Sequence, residues 1–209
     1  MFLPKIYPIT DSRLTKLSHA EQVKRLIEGG ARLIQLREKH ASPKEFYESA
    51  KEAMKIARGA DVQIIINDRT DIALAVRAAG VHLGQNDLPP EHARKILGEN
   101  AIIGFSTHNL EQISKAAILP VDYLAIGPVF MTRTKENAEK LVGIETVKKA
   151  RELIGDFPLV AIGGVTFENF TEVLNAGANS VAVINDLLYE PEMITATMKK
   201  FTALSFLAL

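Results

Sequence analysis

Two cations two positions apart are the first sign of chemistry in this chain. Gln35, Arg37 and Lys39 alternate with Leu36 and Glu38, and in an extended strand a period of two puts all three on one face. If Leu33 and Gln35 face a core, two positive charges point into its mouth, and charges placed there call for an anion. The competing reading is that Arg37 and Lys39 leave the strand into solvent or pair with Glu38 or Glu45. Two carboxylates, Asp68 and Asp87, follow the next two apolar runs. Neighbouring strands stand about 4.8 Å apart, so the pair can share one hard cation. Mg2+ suits such a pair, because one or two carboxylates hold it while substrate phosphate and water complete its shell. Simpler roles are open too. Asp68 can cap a helix, as can Asp71, and Asp87 can be a loop residue ahead of Pro89 and Pro90.

Further along, Ala161-Ile162-Gly163-Gly164-Val165-Thr166 reads as a strand running through two glycines into a helix. Without side chains the backbone N–H groups can approach a phosphate, and the helix start favours negative charge. A tight turn needing positive φ is the alternative. Thr132, Thr134 and Lys135 put hydroxyl donors and a cation on a long loop, Gly127 to Gly143. Strand-to-helix loops usually have about 2–6 residues, so this one reads as a lid that closes on phosphate or as a solvated polar loop. Ser106 and His108 follow a strand without a nucleophile-elbow pattern, which excludes a hydrolase triad. Ser106 is a hydrogen-bond donor to a ligand. His108 is an acid, a base or a structural residue. His82 lies within a strand and reads as a satisfied core residue. His19, His40 and His92 read as surface residues, and their spacing shows no zinc pattern.

These residues need a frame that collects them. Eight short aliphatic runs recur: Lys5–Ile9, Leu33–Leu36, Gln63–Ile66, Val81–Leu83, Ile102–Phe105, Tyr123–Ile126, Leu159–Ile162 and Ser180–Ile184. Between them lie segments with apolar residues three and four apart, such as Ser18–Glu28, Ser42–Arg58 and Ile144–Leu153. Gly29-Gly30, Gly80 and Gly177 read as helix stops. Strict alternation of strand and helix predicts parallel strands joined by crossovers. The fold expected is α/β, a (β/α)8 TIM barrel in one domain over residues 1–209, with an open doubly wound sheet as the competing layout. In a barrel, all the residues singled out above fall on the C-terminal rim, where barrel active sites sit.

Composition narrows the classes. Lys plus Arg and Asp plus Glu are both 25, so net charge is zero, and no global field steers the chain to nucleic acid or an anionic membrane. The chain has no Cys, which excludes disulfides, thiolate metal sites and thiol nucleophiles. No apolar run reaches the roughly 18 residues of a membrane span, and Met1 to Asp11 lacks a signal-peptide pattern. A soluble cytoplasmic protein is the expectation. The apolar tail Phe201 to Leu209 is expected to pack on the barrel floor or on a neighbouring subunit, which allows a homo-oligomer.

Seven short motifs, in order over about residues 5–188, also resemble a known family. They are Tyr7-Pro8-Ile9-Thr10-Asp11, Gln35-Leu36-Arg37-Glu38-Lys39, Ile66-Asn67-Asp68-Arg69, Gly80 through Pro89, Gly104 through His108, Gly127-Pro128-Val129-Phe130 with Thr132 to Lys135, and Ala161 through Val165. The sequence is similar to the thiamine-phosphate synthases. The resemblance implies a barrel that joins 4-amino-5-hydroxymethyl-2-methylpyrimidine diphosphate to 4-methyl-5-(2-phosphoethyl)thiazole, with Mg2+, releasing pyrophosphate. It implies that Gln35, Arg37, Lys39 and Asn67 hold the pyrimidine diphosphate and that Asp68 and Asp87 ligate Mg2+. It further implies that Ser106 meets the pyrimidine amine and Lys135 the diphosphate, while Thr132, Thr134 and Gly164 of the Gly163-Gly164 turn bind the thiazole phosphate. Near Ile184-Asn185 the family usually reads Ile or Val followed by Ser; here Asn185 stands in that place. Rival readings are a TenI-type thiazole tautomerase, a non-catalytic barrel that binds thiazole phosphate or thiamine phosphate, and another phosphate-binding barrel such as a sugar-phosphate epimerase.

Overall fold

The computed structural model describes residues 3–132 and 140–205. Eight parallel strands close into a barrel in chain order: β1 Ile6–Asp11, β2 Leu33–Arg37, β3 Gln63–Asn67, β4 Gly80–Leu83, β5 Ile102–Thr107, β6 Tyr123–Ile126, β7 Leu159–Ile162 and β8 Ser180–Val183. The helices are α1 Ser12–Thr15, α2 His19–Glu28, α3 Pro43–Gly59, α4 Thr70–Val76, α5 Pro90–Leu97, α6 Leu110–Ala116, α7 Gly143–Ile154, α8 Phe170–Asn175, α9 Asn185–Leu188 and α10 Ile194–Ser205. The barrel, rather than the open sheet, follows from the β1–β8 pairing, Tyr7 opposite Ala182.

Side-chain alternation along the strands builds two cores. Outward residues such as Ile34, Leu36, Ile64, Ile66, Val81 and Ile103 pack under the helices. Inward residues Tyr7, Ile9, Leu33, Ile65, Tyr123, Ala125, Val160 and Ala182 fill the barrel. This is why Ile64, Ile65 and Ile66 are all buried: a strand covered on both faces reads as a continuous apolar run. The helices start where the sequence offers caps. Ser18 with Glu21 and Ser42 with Glu45 form capping boxes at α2 and α3, and Pro43 opens α3.

Several boundaries differ from the pattern reading. β1 extends to Asp11 and β5 to Thr107, because pairing with the next strand continues at Asp11–Arg37 and Ser106–Ala125. Asp11 and Ser106 are therefore held by the sheet, not by loops. Gly80 is not a helix stop. It opens β4, where an added Cβ would lie 1.8 Å from the Ile102 carbonyl oxygen; the stop of α4 is Arg77, at φ 53°. Of the apolar tail, residues 201–205 are described. Phe201 is fully buried within the barrel wall, its ring 5.1 Å from that of Phe170 and 5.4 Å from that of Phe167. Among the described residues no helix is long and apolar enough to cross a membrane.

Candidate active site

Strand alternation brings Gln35 and Arg37 of β2, Asn67 of β3 and Ser106 of β5 to the inward face. Arg37 is paired, though not as the sequence suggested. Its Nη1 lies 2.6 Å from Asp11 Oδ2 on β1, while Glu38 turns away. The other oxygen of Asp11 accepts from the backbone N–H groups of Arg13 and Leu14 and so caps α1. Glu38 accepts from Ser12 Oγ at 2.7 Å and from the N–H groups of His40 and Ala41 at 2.9 and 3.3 Å. Burial raises the Glu38 carboxyl pKa, but these donors and His19 outweigh it and bring the value down to about 2. Glu38 thus ties the segment after β1 to the loop after β2 that carries Lys39. The sequence offered Glu38 as a partner for Arg37 or Lys39 and gave Asp11 no partner.

Lys39 donates to Asp68 Oδ2, and Asp68 stands beside Asp87. Asp68 does not cap α4. It sits at φ 62°, a conformation Asp tolerates better than most residues, and its N–H donates to the His82 carbonyl at 2.8 Å. Asp71 pairs with Arg69 instead. Asp87 accepts from the Gly84 N–H at 2.7 Å. Burial, reinforced by the adjacent Asp68 carboxylate and opposed by the Gly84 N–H, pushes the Asp87 carboxyl above the ordinary range. Two carboxylates with one ammonium, bonded to Asp68, leave a negative charge unbalanced, and a divalent cation would relieve it. Among the described residues no group of three His, Cys, Asp or Glu surrounds a common point. An ion here would therefore draw its remaining ligands from substrate and water, the usual habit of Mg2+ and not of Zn2+.

On the opposite side, Gly163 and Gly164 take φ 101° and 63°. A Cβ on Gly164 would lie 2.5 Å from the Met131 carbonyl oxygen, and one on Gly163 would lie 2.5 Å from Pro128. The turn is thus a positive-φ turn and also a close seat for the start of the long loop. Val129 and Phe130 donate to Ile162 and Gly163, and Val142 donates back to Pro128, so the loop's two ends are tied together beside the turn. Thr132 follows at its base. Thr134 and Lys135 lie outside the described residues. Ile184 follows β8 as the N-cap position of α9, and Asn185 opens α9. The next residue, Asp186, accepts from the Phe167 N–H at 2.9 Å and joins this segment to the loop after the glycine turn.

Of the histidines, His40 and His92 are exposed as expected. His19 is not a surface residue: it is 1% exposed and its Nδ1 lies 2.7 Å from Thr10 Oγ1, because α2 packs this position against the extended β1. His82 is satisfied inside the barrel by Tyr123 and Ser106. His108 is anchored to the Gly127 carbonyl at 2.7 Å.

The sequence model for thiamine monophosphate synthase matches residues 6–187. The chain belongs to that family. It is 45% identical over 196 residues to a thiamine-phosphate synthase of Koribacter versatilis, spanning 90% of this chain and 91% of the relative. A thiamine-phosphate synthase of Persephonella marina is 46% identical over 181 residues, 86% of each chain. The solved thiamine phosphate pyrophosphorylase of Pyrococcus furiosus superposes with a TM-score of 0.88 at 37% identity, covering 98% of this chain and 96% of that one. Family membership thus rests on nearly the whole barrel, not on one motif.

Proposed function

We propose that this protein is a thiamine-phosphate synthase, a transferase that joins 4-amino-5-hydroxymethyl-2-methylpyrimidine diphosphate to 4-methyl-5-(2-phosphoethyl)thiazole and releases pyrophosphate. The observation that carries the reading is the Lys39–Asp68–Asp87 cluster beside Arg37, at the end of the barrel where its loops and glycine turn meet. A tautomerase needs a proton shuttle and no diphosphate site, and would have little use for this cluster. The surroundings are those of a cytoplasmic enzyme working on small phosphorylated substrates.

Arg37 and Lys39 hold the diphosphate and stabilise the negative charge that grows as it leaves. Asp68 and Asp87 would hold Mg2+, which when bound would supply positive charge for the diphosphate. Gln35, Asn67 and Ser106 orient the pyrimidine, whose amino group stabilises the cation left at its methylene carbon. The thiazole nitrogen attacks that carbon, with the thiazole phosphate held by Gly164 N–H and Thr132 and by Thr134 on the loop. Gly163 shapes the turn, and Ile184 and Asn185 close this side. Lys135 on the loop adds charge to the diphosphate. Water must be kept from the site, since it would trap the cation. No side-chain nucleophile is needed, consistent with a chain that has no Cys.

The test is incubation with both substrates and Mg2+, following thiamine phosphate and pyrophosphate by chromatography. Equimolar formation of the two is expected. Binding of both substrates without product would replace the synthase reading with that of a binding protein.

A further inference from the structure

A continuous chain of buried side chains crosses the barrel beneath the site. Gln35 Nε2 donates to Tyr7 Oη at 3.2 Å, and Tyr7 Oη lies 3.0 Å from Tyr123 Oη. Tyr123 Oη is 2.9 Å from His82 Nδ1, and His82 Nε2 is 2.8 Å from Ser106 Oγ. The chain begins and ends on the two side chains that flank the pyrimidine pocket in the synthase reading. Its middle is rigid: the His82 and Tyr123 rings stack at 5.5 Å and 24°, and Tyr7 meets Tyr123 edge-on at 6.0 Å. Gly104 makes the junction fit, since a Cβ there would lie 2.4 Å from Tyr123 Oη and 2.5 Å from His82 Nδ1.

Such a chain has a direction. Gln35 uses its amide nitrogen on Tyr7, so the Tyr7 hydrogen goes to Tyr123. The Tyr123 hydrogen then goes to His82 Nδ1. A neutral imidazole that accepts at one nitrogen donates from the other, so Nε2–H goes to Ser106 Oγ. Burial pushes both phenols above their ordinary pKa, so both keep the hydrogens that the chain requires. With every member committed, Gln35 turns its carbonyl oxygen outward as an acceptor and Ser106 keeps its own hydrogen to donate. The reverse direction would turn the Gln35 amide nitrogen outward and spend the Ser106 hydrogen on His82.

We propose that Tyr7, Tyr123 and His82 are positioning residues that set Gln35 and Ser106 together as one acceptor and one donor, and thereby select an aminopyrimidine over a pyrimidinone. An aminopyrimidine offers an amine hydrogen, which Gln35 accepts, and a bare ring nitrogen, which accepts from Ser106, so in this arrangement Ser106 faces the ring nitrogen beside the amine rather than the amine itself. A 4-oxo ring offers the reverse. The inference rests on the synthase reading for the identity of the ring and adds the origin of its selection.

The test compares binding of aminopyrimidine monophosphate and its 4-oxo analogue by calorimetry, in folded protein verified by melting. The wild-type protein should prefer the amine by about tenfold or more, since a mismatched donor or acceptor is left unpaired. Tyr7→Phe and Tyr123→Phe keep the rings and break the chain, so each should lower that preference by about threefold or more. In a Ser106→Ala background Tyr123→Phe should lower it less than in the wild-type protein, because the part of its effect that Ser106 carries is gone and only the part through Tyr7 and Gln35 remains. An unchanged preference in both Phe variants, or an equal loss with and without Ser106, overturns the inference and leaves the synthase reading standing. Wild-type protein that binds neither ring would overturn both.

Discussion

Asp87→Asn separates a metal-binding role from a structural one, because the two predict opposite balances of stability and activity. Asp87 is half-buried beside Asp68, and burial and that neighbour both disfavour its ionised form. At about 5 Å and an effective dielectric of about 20, two unit charges repel by roughly 3 kcal/mol. Lys39 offsets part of this by pairing with Asp68, and exposure to water reduces it further, to about 1 kcal/mol. Asn keeps an oxygen for the Gly84 N–H, which Asp87 now accepts at 2.7 Å, but that bond loses its charge assistance, at a cost of about 1 kcal/mol. The two effects nearly cancel. In metal-free buffer Tm should therefore stay within about 4 °C of wild type, given that 1 kcal/mol shifts a chain of this size by about 2–4 °C. Turnover should fall about 100-fold or more, the scale for losing one group that stabilises transition-state charge. The assay pairs a melting scan with single-turnover pyrophosphate release over an Mg2+ titration. Near-normal turnover would remove Asp87 from the metal site; a fall in Tm of 10 °C or more would make it a structural residue.

Three further outcomes follow from other parts of the barrel. Glu38 has a folded pKa of about 2 against an ordinary 4.5, so its stabilisation is present above pH 4.5 and is lost as pH falls towards 2. The shift corresponds to about 3 kcal/mol, and Glu38→Gln should flatten the pH dependence of urea unfolding in that window; an unchanged slope would show that Glu38 is not the group responsible. Gly164→Ala places a Cβ 2.5 Å from the Met131 carbonyl oxygen at φ 63°, a strain of about 1–3 kcal/mol. It should raise KM for the thiazole phosphate about tenfold with little change for the pyrimidine, and equal changes in both would count against a thiazole-side phosphate seat. Phe201→Ala should cost about 3–5 kcal/mol in denaturant unfolding, because the ring is fully buried against Phe167 and Phe170; a cost below 1 kcal/mol would mean that α10 does not seal the wall.

The barrel was legible because its period is written in every segment. Strands buried on both faces read as aliphatic runs, and helices between them read by their three-and-four spacing. The short helices α1 and α9, four residues each, carry no period and were invisible. Gly80 misled, since a glycine after a helical pattern signals a stop, whereas here it admits the Ile102 backbone. The approach of Asp87 to Asp68 was readable from strand order; the pairing of Lys39 with Asp68 was not, since the pattern offered Lys39 only an anion, solvent, Glu38 or Glu45. The partner of Arg37 was not, because Asp11 meets it only across a strand pair that pattern cannot register. The Tyr7–Tyr123 contact spans 116 residues and exists only once the barrel closes, so no local signal announces it. His19 was misplaced for a related reason: the extension of β1 that buries it is set by pairing with β2.

The most direct measurement is a crystal grown with Mn2+ and pyrophosphate, with the metal located by its anomalous scattering. A peak bound by Asp68 and Asp87, with pyrophosphate on Arg37 and Lys39, is expected. A metal bound elsewhere, or pyrophosphate seated away from Arg37, would contradict the placement of the reaction at this rim.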